Sequence, residues 1–171
     1  MPSAITKTAL DKRLNLLGIT AETFADIARI YPAVDQNIES IVDAFHVHMV
    51  NLPEPNPVFE DRDRAGILKR LQCDHWRRLF SANIDDTYMD RAIRVGRAHH
   101  DHDVTPVVYI AGYNFVQRAL TTVIADAFRD DPALPRLINS AMSLITLDMD
   151  LSISVYMREY WLSHTPRLID V

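Results

Sequence analysis

HWRRLFSANIDDTYMDRAIRVGRAHHDHDVTPVVYIAGYN, residues 75–114, is the stretch on which the fold turns. Tyr88, Ala92, Val95 and His99 recur within it at intervals of three and four, which lays them along one side of a helix rather than one face of a strand. Asp85 and Asp86 suit the start of that helix, expected to run through about His102, because a carboxylate at the first position accepts from amides that have no partner in the opening turn. Thr105-Pro106 makes a cap and first-turn pair. It opens another helix to about Phe128, with Tyr109, Tyr113, Val116, Leu120 and Ile124 on one side.

The same periodicity extends outward in both directions. Upstream, Asp61 or Asp63 caps a helix whose apolar positions Ile67, Leu68, Leu71, Trp76, Leu79 and Phe80 carry it to Ser81. Before it, Pro53, Pro55 and Pro57 make residues 52–59 a loop, since each removes a donor and biases its predecessor away from helix. A helix from about Ala33 to Val50 precedes this loop, with Ile38, Ile41, Val42, Phe45 and Met49 as its stripe. Thr20, with Glu22 in the first turn, caps a helix that the break at Pro32 should end, and a short first helix is expected from about Thr6 to Leu17, stopped by Gly18. Downstream, Asp130, Asp131 and Pro132 punctuate the chain before a final helix of about Pro135 to Leu162, and Thr165-Pro166 marks a tail. Only four glycines occur and no segment alternates, so the fold class is all-α, roughly seven or eight helices in a globin-like packing or an elaborated bundle. The final helix carries Leu137, Ala141, Leu144, Ile145, Leu151 and Val155 together with Ile138, Met142, Ile153 and Met157. That width fits either a central position in the monomer or a dimer seam shared with the preceding helix.

Composition narrows the function. With 171 residues and no second-domain boundary, the chain reads as one domain, 1–171, able to bury a core and still enclose a cofactor. A net charge of −5, without a basic stripe interleaved with aromatics, lacks the footprint of a nucleic-acid binder. Apolar runs are far too short for a membrane span and the N-terminus lacks a secretory pattern, so a cytoplasmic protein is expected. Cys73 is the single cysteine, which excludes an internal disulfide and a thiolate metal cluster; any metal must be held by imidazole.

Of the seven histidines, His99 lies on the apolar side of its helix with Gly96 nearby, so a flat macrocycle could approach while the imidazole meets its centre. His100 and His102 crowd the same helix end, and HHDHD also fits a solvated terminus or an adventitious zinc site. Spacing alone leaves these open.

Residues 75–114 resemble the globin-coupled sensors, a bacterial family of haem globins usually fused to signalling outputs. The likeness lies in the histidine and aromatic pair His75-Trp76, then Leu79-Phe80, the aspartate-rich turn, and the small-residue motif before a histidine. Val104 and Pro106 follow His99 by five and seven residues, the family's offsets from its proximal ligand, so the resemblance implies that His99 holds the iron of haem b. It extends upstream through RLNLLGITAETFADIARIYPAVDQNIESIVDAFHVHMV and downstream to LDMDLSISVYMREY, most of the chain. It implies an extra N-terminal helix over about 1–17, a globin core over 18–163, a tail or linker start over 164–171, and long C-terminal helices that pair across a homodimer.

The resemblance also places a distal pocket around Phe45, His46, Met49, Leu68 and Leu71 and a proximal side around Val95, Val104, Tyr109 and Tyr113. After Phe45 the family commonly carries a tyrosine that hydrogen-bonds oxygen; here it is His46. Its imidazole either donates to a ligand on iron, ligates the iron itself as a distal axial residue, or swings outward. Tyr109 is similar to a proximal tyrosine that relays movement of the axial histidine, or is simply packed in the core. Lys69, Arg70, Arg77 and Arg78 are candidates for haem propionates or for a solvated face, His48 is expected on an exposed face, and His75 has no chemistry assigned.

The implied function is a haem-based sensor of oxygen, carbon monoxide or nitric oxide, not itself an enzyme, signalling through its last two helices to an output such as a diguanylate cyclase, histidine kinase or chemotaxis transducer. The chain would be a sensor module detached from that output or a stand-alone globin. A bis-histidine redox protein and a haem-free helical interaction module are the alternatives.

Overall fold

A computed structural model describes residues 4–53, 59 and 61–164, with side chains left out of account at 4–8, 62, 155–157 and 159–164. It contains six helices and, among the described residues, no strand: α1 (Ala4–Leu16), α2 (Ala21–Val50), α3 (Arg62–Phe80), α4 (Asp86–Asp101), α5 (Pro106–Ala127) and α6 (Leu134–His164). The expected all-α architecture, with a short leading helix and long closing helices, is the observed one. Most of the expected loop at 52–59 and of the expected tail lies outside the described residues.

Local chemistry sets most boundaries. Gly18 adopts a positive φ of 64°, and Ile19 N–H reaches the Leu14 carbonyl at 2.9 Å while Gly18 N–H reaches that of Asn15 at 3.2 Å. This paired closure satisfies the last carbonyls of α1 and needs a residue without a Cβ at the turn. Thr20, Asp61, Asp85 and Thr105 each accept a backbone amide at the start of their helices.

Pro32 corrects the sequence reading, because α2 runs straight through it from Ala21 to Val50. Ile27, Ile30, Val34 and Ile38 are all fully buried and in helical phase on either side of it. Pro32 and Ala28, the residue whose carbonyl loses its amide partner, both face solvent, where water can take the freed acceptor. Burial of one unbroken stripe outweighs the cost of about 3 kcal/mol for an interior proline, and the two helices expected over residues 20–50 are one.

The core lies where α2 and α6 meet the shorter helices: α2 packs on α3, α5 and α6, α6 packs chiefly on α4, and α1 lies against α4. Leu137, Ala141, Leu144, Ile145, Leu147 and Leu151 of α6 are buried within the monomer, whereas Ile138, Met142 and Ile153 are half-buried. The α4–α6 contact is backbone to backbone at Gly96, where a Cβ would stand 2.2 Å from the Ser152 carbonyl oxygen. The sequence reading placed Gly96 beside a macrocycle; instead it admits α6. Gly96→Ala should therefore force the two helices apart and cost about 3 kcal/mol or more. Gly66→Ala, which meets nothing within 4 Å, should gain up to about 1 kcal/mol from helix propensity. Urea unfolding of the two variants against wild type checks both directions.

Candidate functional site

Between α2, α3, α4 and α5 lies a cavity of about 920 Å³, counting the open space at its mouth. Its apolar wall includes Phe45 and Met49 from α2, Phe59, and Leu68 from α3, with Val95 from α4, Val104, and Val108 from α5 on the other side. Phe45, Met49 and Phe59 form a buried cluster of their own, separate from the main core. Gly112 is the glycine at the cavity, where a Cβ would touch the Phe45 ring at 3.4 Å.

His99 lies on the cavity wall near the end of α4. Its Nδ1 donates to the Val95 carbonyl at 2.7 Å, one turn back. That bond puts the hydrogen on Nδ1 and makes Nε2 the lone-pair nitrogen. Burial, the largest influence, pulls its pKa below the ordinary histidine value, so the ring is neutral, the form that ligates metals. The Tyr109 ring meets it edge-on at 4.9 Å, and Tyr113 lies 4.8 Å beyond Tyr109. His102 also reaches the cavity; His100 lies beside Asp101, 3.4 Å from its carboxylate. Among the described residues no three His, Cys, Asp or Glu side chains gather as a metal cluster.

Two expected pocket residues lie elsewhere. His46 is buried, but its ring stands outside the cavity lining, held edge-on by Phe59 at 5.1 Å and bonded through Nε2 to Gln72 Oε1 at 2.7 Å. Leu71 is 61% exposed and points away from the cavity. It is Gln72, one turn after Leu68, that shares the cavity face of α3. Lys69 reaches Asp43, and Arg77 reaches Asp35 and Glu39, so both tie α3 to α2. His48 is exposed and stacks on Phe115 at 5.0 Å, and Cys73 is packed in the core.

The residue that sequence reasoning missed is Asp148, which has no exposed surface. Its carboxylate accepts from His75 Nε2 at 2.8 Å, from the Tyr113 hydroxyl at 2.7 Å and from the Tyr88 hydroxyl. Burial alone would drive the proton off His75, but the charge and hydrogen bond of Asp148 more than offset it and raise the pKa. Burial likewise opposes charge on Asp148, yet His75 and the two tyrosines bring its pKa below the ordinary carboxylate value. The result is an ion pair, one member of which, His75, lines the cavity. The signal was present: Asp148 falls in phase with Ala141, Leu144 and Leu151, and a carboxylate on a buried stripe must have partners.

Asp148→Asn leaves the buried imidazole without its counter-charge and should cost about 3–5 kcal/mol. Because His75 has a raised pKa in the folded state, its contribution is complete below the unfolded value of about 6.5 and is lost as pH rises through the folded one. Because that of Asp148 is lowered, its share is lost as pH falls through the folded value, below the ordinary 3.8. Urea midpoints across pH should thus show the wild-type advantage greatest in mildly acidic solution and shrinking on the alkaline side.

The Protoglobin family model matches residues 6–161. The chain is 23% identical over 159 residues to a heme-based aerotactic transducer, HemAT, of Halobacterium salinarum, a match covering 86% of this chain and 32% of the transducer. This chain therefore spans about a third of the length of that relative. The globin domain of a Geobacter sulfurreducens globin-coupled sensor superposes with a TM-score of 0.78 at 20% identity, over 85% of this chain and 96% of that domain.

Proposed function

The chain belongs to the protoglobin family, and on that premise we propose that it is a haem-based gas-sensing globin domain, with His99 as the proximal axial ligand. The observation that carries this is the neutral imidazole on the wall of an apolar cavity, its hydrogen committed to the Val95 carbonyl so that Nε2 is the nitrogen bearing the lone pair. Proximal histidines of haem proteins are oriented in this way by a bond from the second ring nitrogen. The cavity lining suits a porphyrin, with Phe45, Met49, Leu68, Val95 and Val104 excluding water and Gly112 leaving room for the Phe45 ring. Cys73 lies outside the lining, which favours haem b held by the axial bond and contacts alone. When bound, the haem supplies an iron centre at which oxygen, carbon monoxide or nitric oxide can attach.

The residues behind His99 suit transmission. Its ring abuts Tyr109, Tyr109 abuts Tyr113, and the Tyr113 hydroxyl is bonded to Asp148 of α6. A displacement of the imidazole is thereby delivered to the last helix. The half-buried Ile138 and Met142 of α6, beside Phe115 and Ala119 of α5, are the positions from which a homodimer through these two helices would be built. The output is a signalling domain or partner, such as a diguanylate cyclase, a histidine kinase or a chemotaxis transducer; the Halobacterium relative is by name an aerotactic transducer. No helix among the described residues is long and apolar enough to cross a membrane.

Purified protein mixed with haem should show an intense Soret band that responds to carbon monoxide in the ferrous state. His99→Gly should weaken haem retention and shift the band, and added imidazole should restore it by occupying the vacated ligand position. A wild-type protein that gains no Soret band overturns the reading.

A further inference from the structure

On the α3 side of the cavity, among Phe45, Met49, Phe59 and Leu68, stands one neutral polar side chain, Gln72. We propose that Gln72 is the residue that hydrogen-bonds a diatomic ligand in this cavity, through its side-chain amide nitrogen, with His46 behind it as the positioning residue that sets the direction of that amide. The inference rests on the haem-sensor reading and assigns the ligand-contacting role to a residue that the sequence pattern passed over.

Position is the first ground. Gln72 lines the cavity and His46 does not, although His46 follows Phe45 at the place where the resemblance put a donor to the ligand or a second axial ligand. His46 Nε2 is already 2.7 Å from Gln72 Oε1.

The second ground is the sense of that hydrogen bond. The ring is 4% exposed, and burial, the leading influence, favours its neutral form, so it carries a single hydrogen. An amide oxygen can only accept, which places that hydrogen on Nε2 and leaves Nδ1 as a lone pair. Nδ1 has no hydrogen-bond partner in its surroundings among the described residues. Reversing the glutamine amide would require the hydrogen on Nδ1, and a buried donor without an acceptor is the costlier orphan. The network therefore commits Oε1 to His46 and the amide nitrogen to donation elsewhere, and no described residue accepts from it.

The third ground is rigidity. Phe59 meets the imidazole edge-on at 5.1 Å and 79°, and Phe45 does so at 5.9 Å and 81°, so the ring cannot turn to offer its other nitrogen without repacking the aromatic cluster. A fixed imidazole fixes Oε1, and the planar amide then fixes the direction of its N–H groups. A neutral, oriented donor of this kind favours a ligand that gathers negative charge on its outer atom, dioxygen, over carbon monoxide.

The test uses haem-loaded wild type, Gln72→Leu, the near-isosteric Gln72→Met and His46→Leu, with carbon monoxide and dioxygen as probes. Loss of the amide donor should raise the C–O stretching frequency in the infrared spectrum of the carbon monoxide complex. It should speed dioxygen release about tenfold, the equivalent of one hydrogen bond, with little change in carbon monoxide release. His46→Leu should move both readouts in the same direction by less. If both Gln72 variants bind haem and leave the stretch and the dioxygen release unchanged, the inference is overturned while the haem reading stands. A six-coordinate low-spin resting wild type that becomes five-coordinate in His46→Leu overturns it as well, by making His46 the ligand. No haem uptake by wild type removes both together.

Discussion

A carboxylate shut away from water governs how the helices around the cavity are arranged. Asp148 lies on the buried stripe of α6, and an ionised group there is tolerable only with charge compensation and a full set of donors. Three helices answer it with one side chain each: His75 from α3, Tyr88 from α4 and Tyr113 from α5. These are three of the four helices that wall the cavity. One turn further along α6, Ser152 meets Gly96 and donates to the Ala92 carbonyl at 3.2 Å. The helix that carries His99 is thus fixed to α6 through a side-chain bond, a hydroxyl bond and a backbone contact within one stretch of its length.

The helices were legible in the sequence because their ends are marked by local chemistry, at Thr20, Asp61, Asp85 and Thr105, and their faces by apolar spacing. Pro32 misled because its local cost was weighed without the phase on either side. Ile27 and Ile30 before it and Val34 and Ile38 after it lie on one continuous face, a tertiary signal that a single breaker residue cannot cancel. Gly96 misled for a related reason. Its small size announces a close approach, but size does not say which body approaches, and α6, more than fifty residues away in sequence, was the one.

At the site, Phe45, Met49, Val95, His99, Val104, Tyr109 and Tyr113 could be named because apolar phase and the family resemblance point at the same residues, and all of them line the cavity. On α3 the two guides parted. Leu68, Gln72, His75 and Trp76 share the cavity face at helical spacing, whereas Leu71 falls just outside it. The resemblance put Leu71 at the pocket, and attention to apolar positions skipped the polar Gln72. The same habit hid Asp148 and left His75 without a role, since a charged residue within an apolar run is easily read as an interruption and not as half of a pair.

The two sides of the cavity differ in what holds them, and that difference bears on signalling. On the His99 side, ring contacts to Tyr109 and Tyr113 end on a buried ion pair, so a shift of the imidazole has no soft medium in which to dissipate before it reaches α6. On the other side, Phe45, Met49 and Phe59 form a small buried cluster that meets Phe115 of α5, beside the half-exposed Gln72. The same rings hold His46 edge-on, and ion pairs from Lys69 to Asp43 and from Arg77 to Asp35 tie α3 to α2. The two walls are therefore braced differently, one by aromatic packing and ion pairs between α2 and α3, the other by a chain of rings that ends on Asp148. On the proposed sensor reading that difference matters, because a conformational change follows a ligand only where the ligand interacts differently with the two states, and the His99 wall leads by direct ring contacts to a hydroxyl bonded to α6.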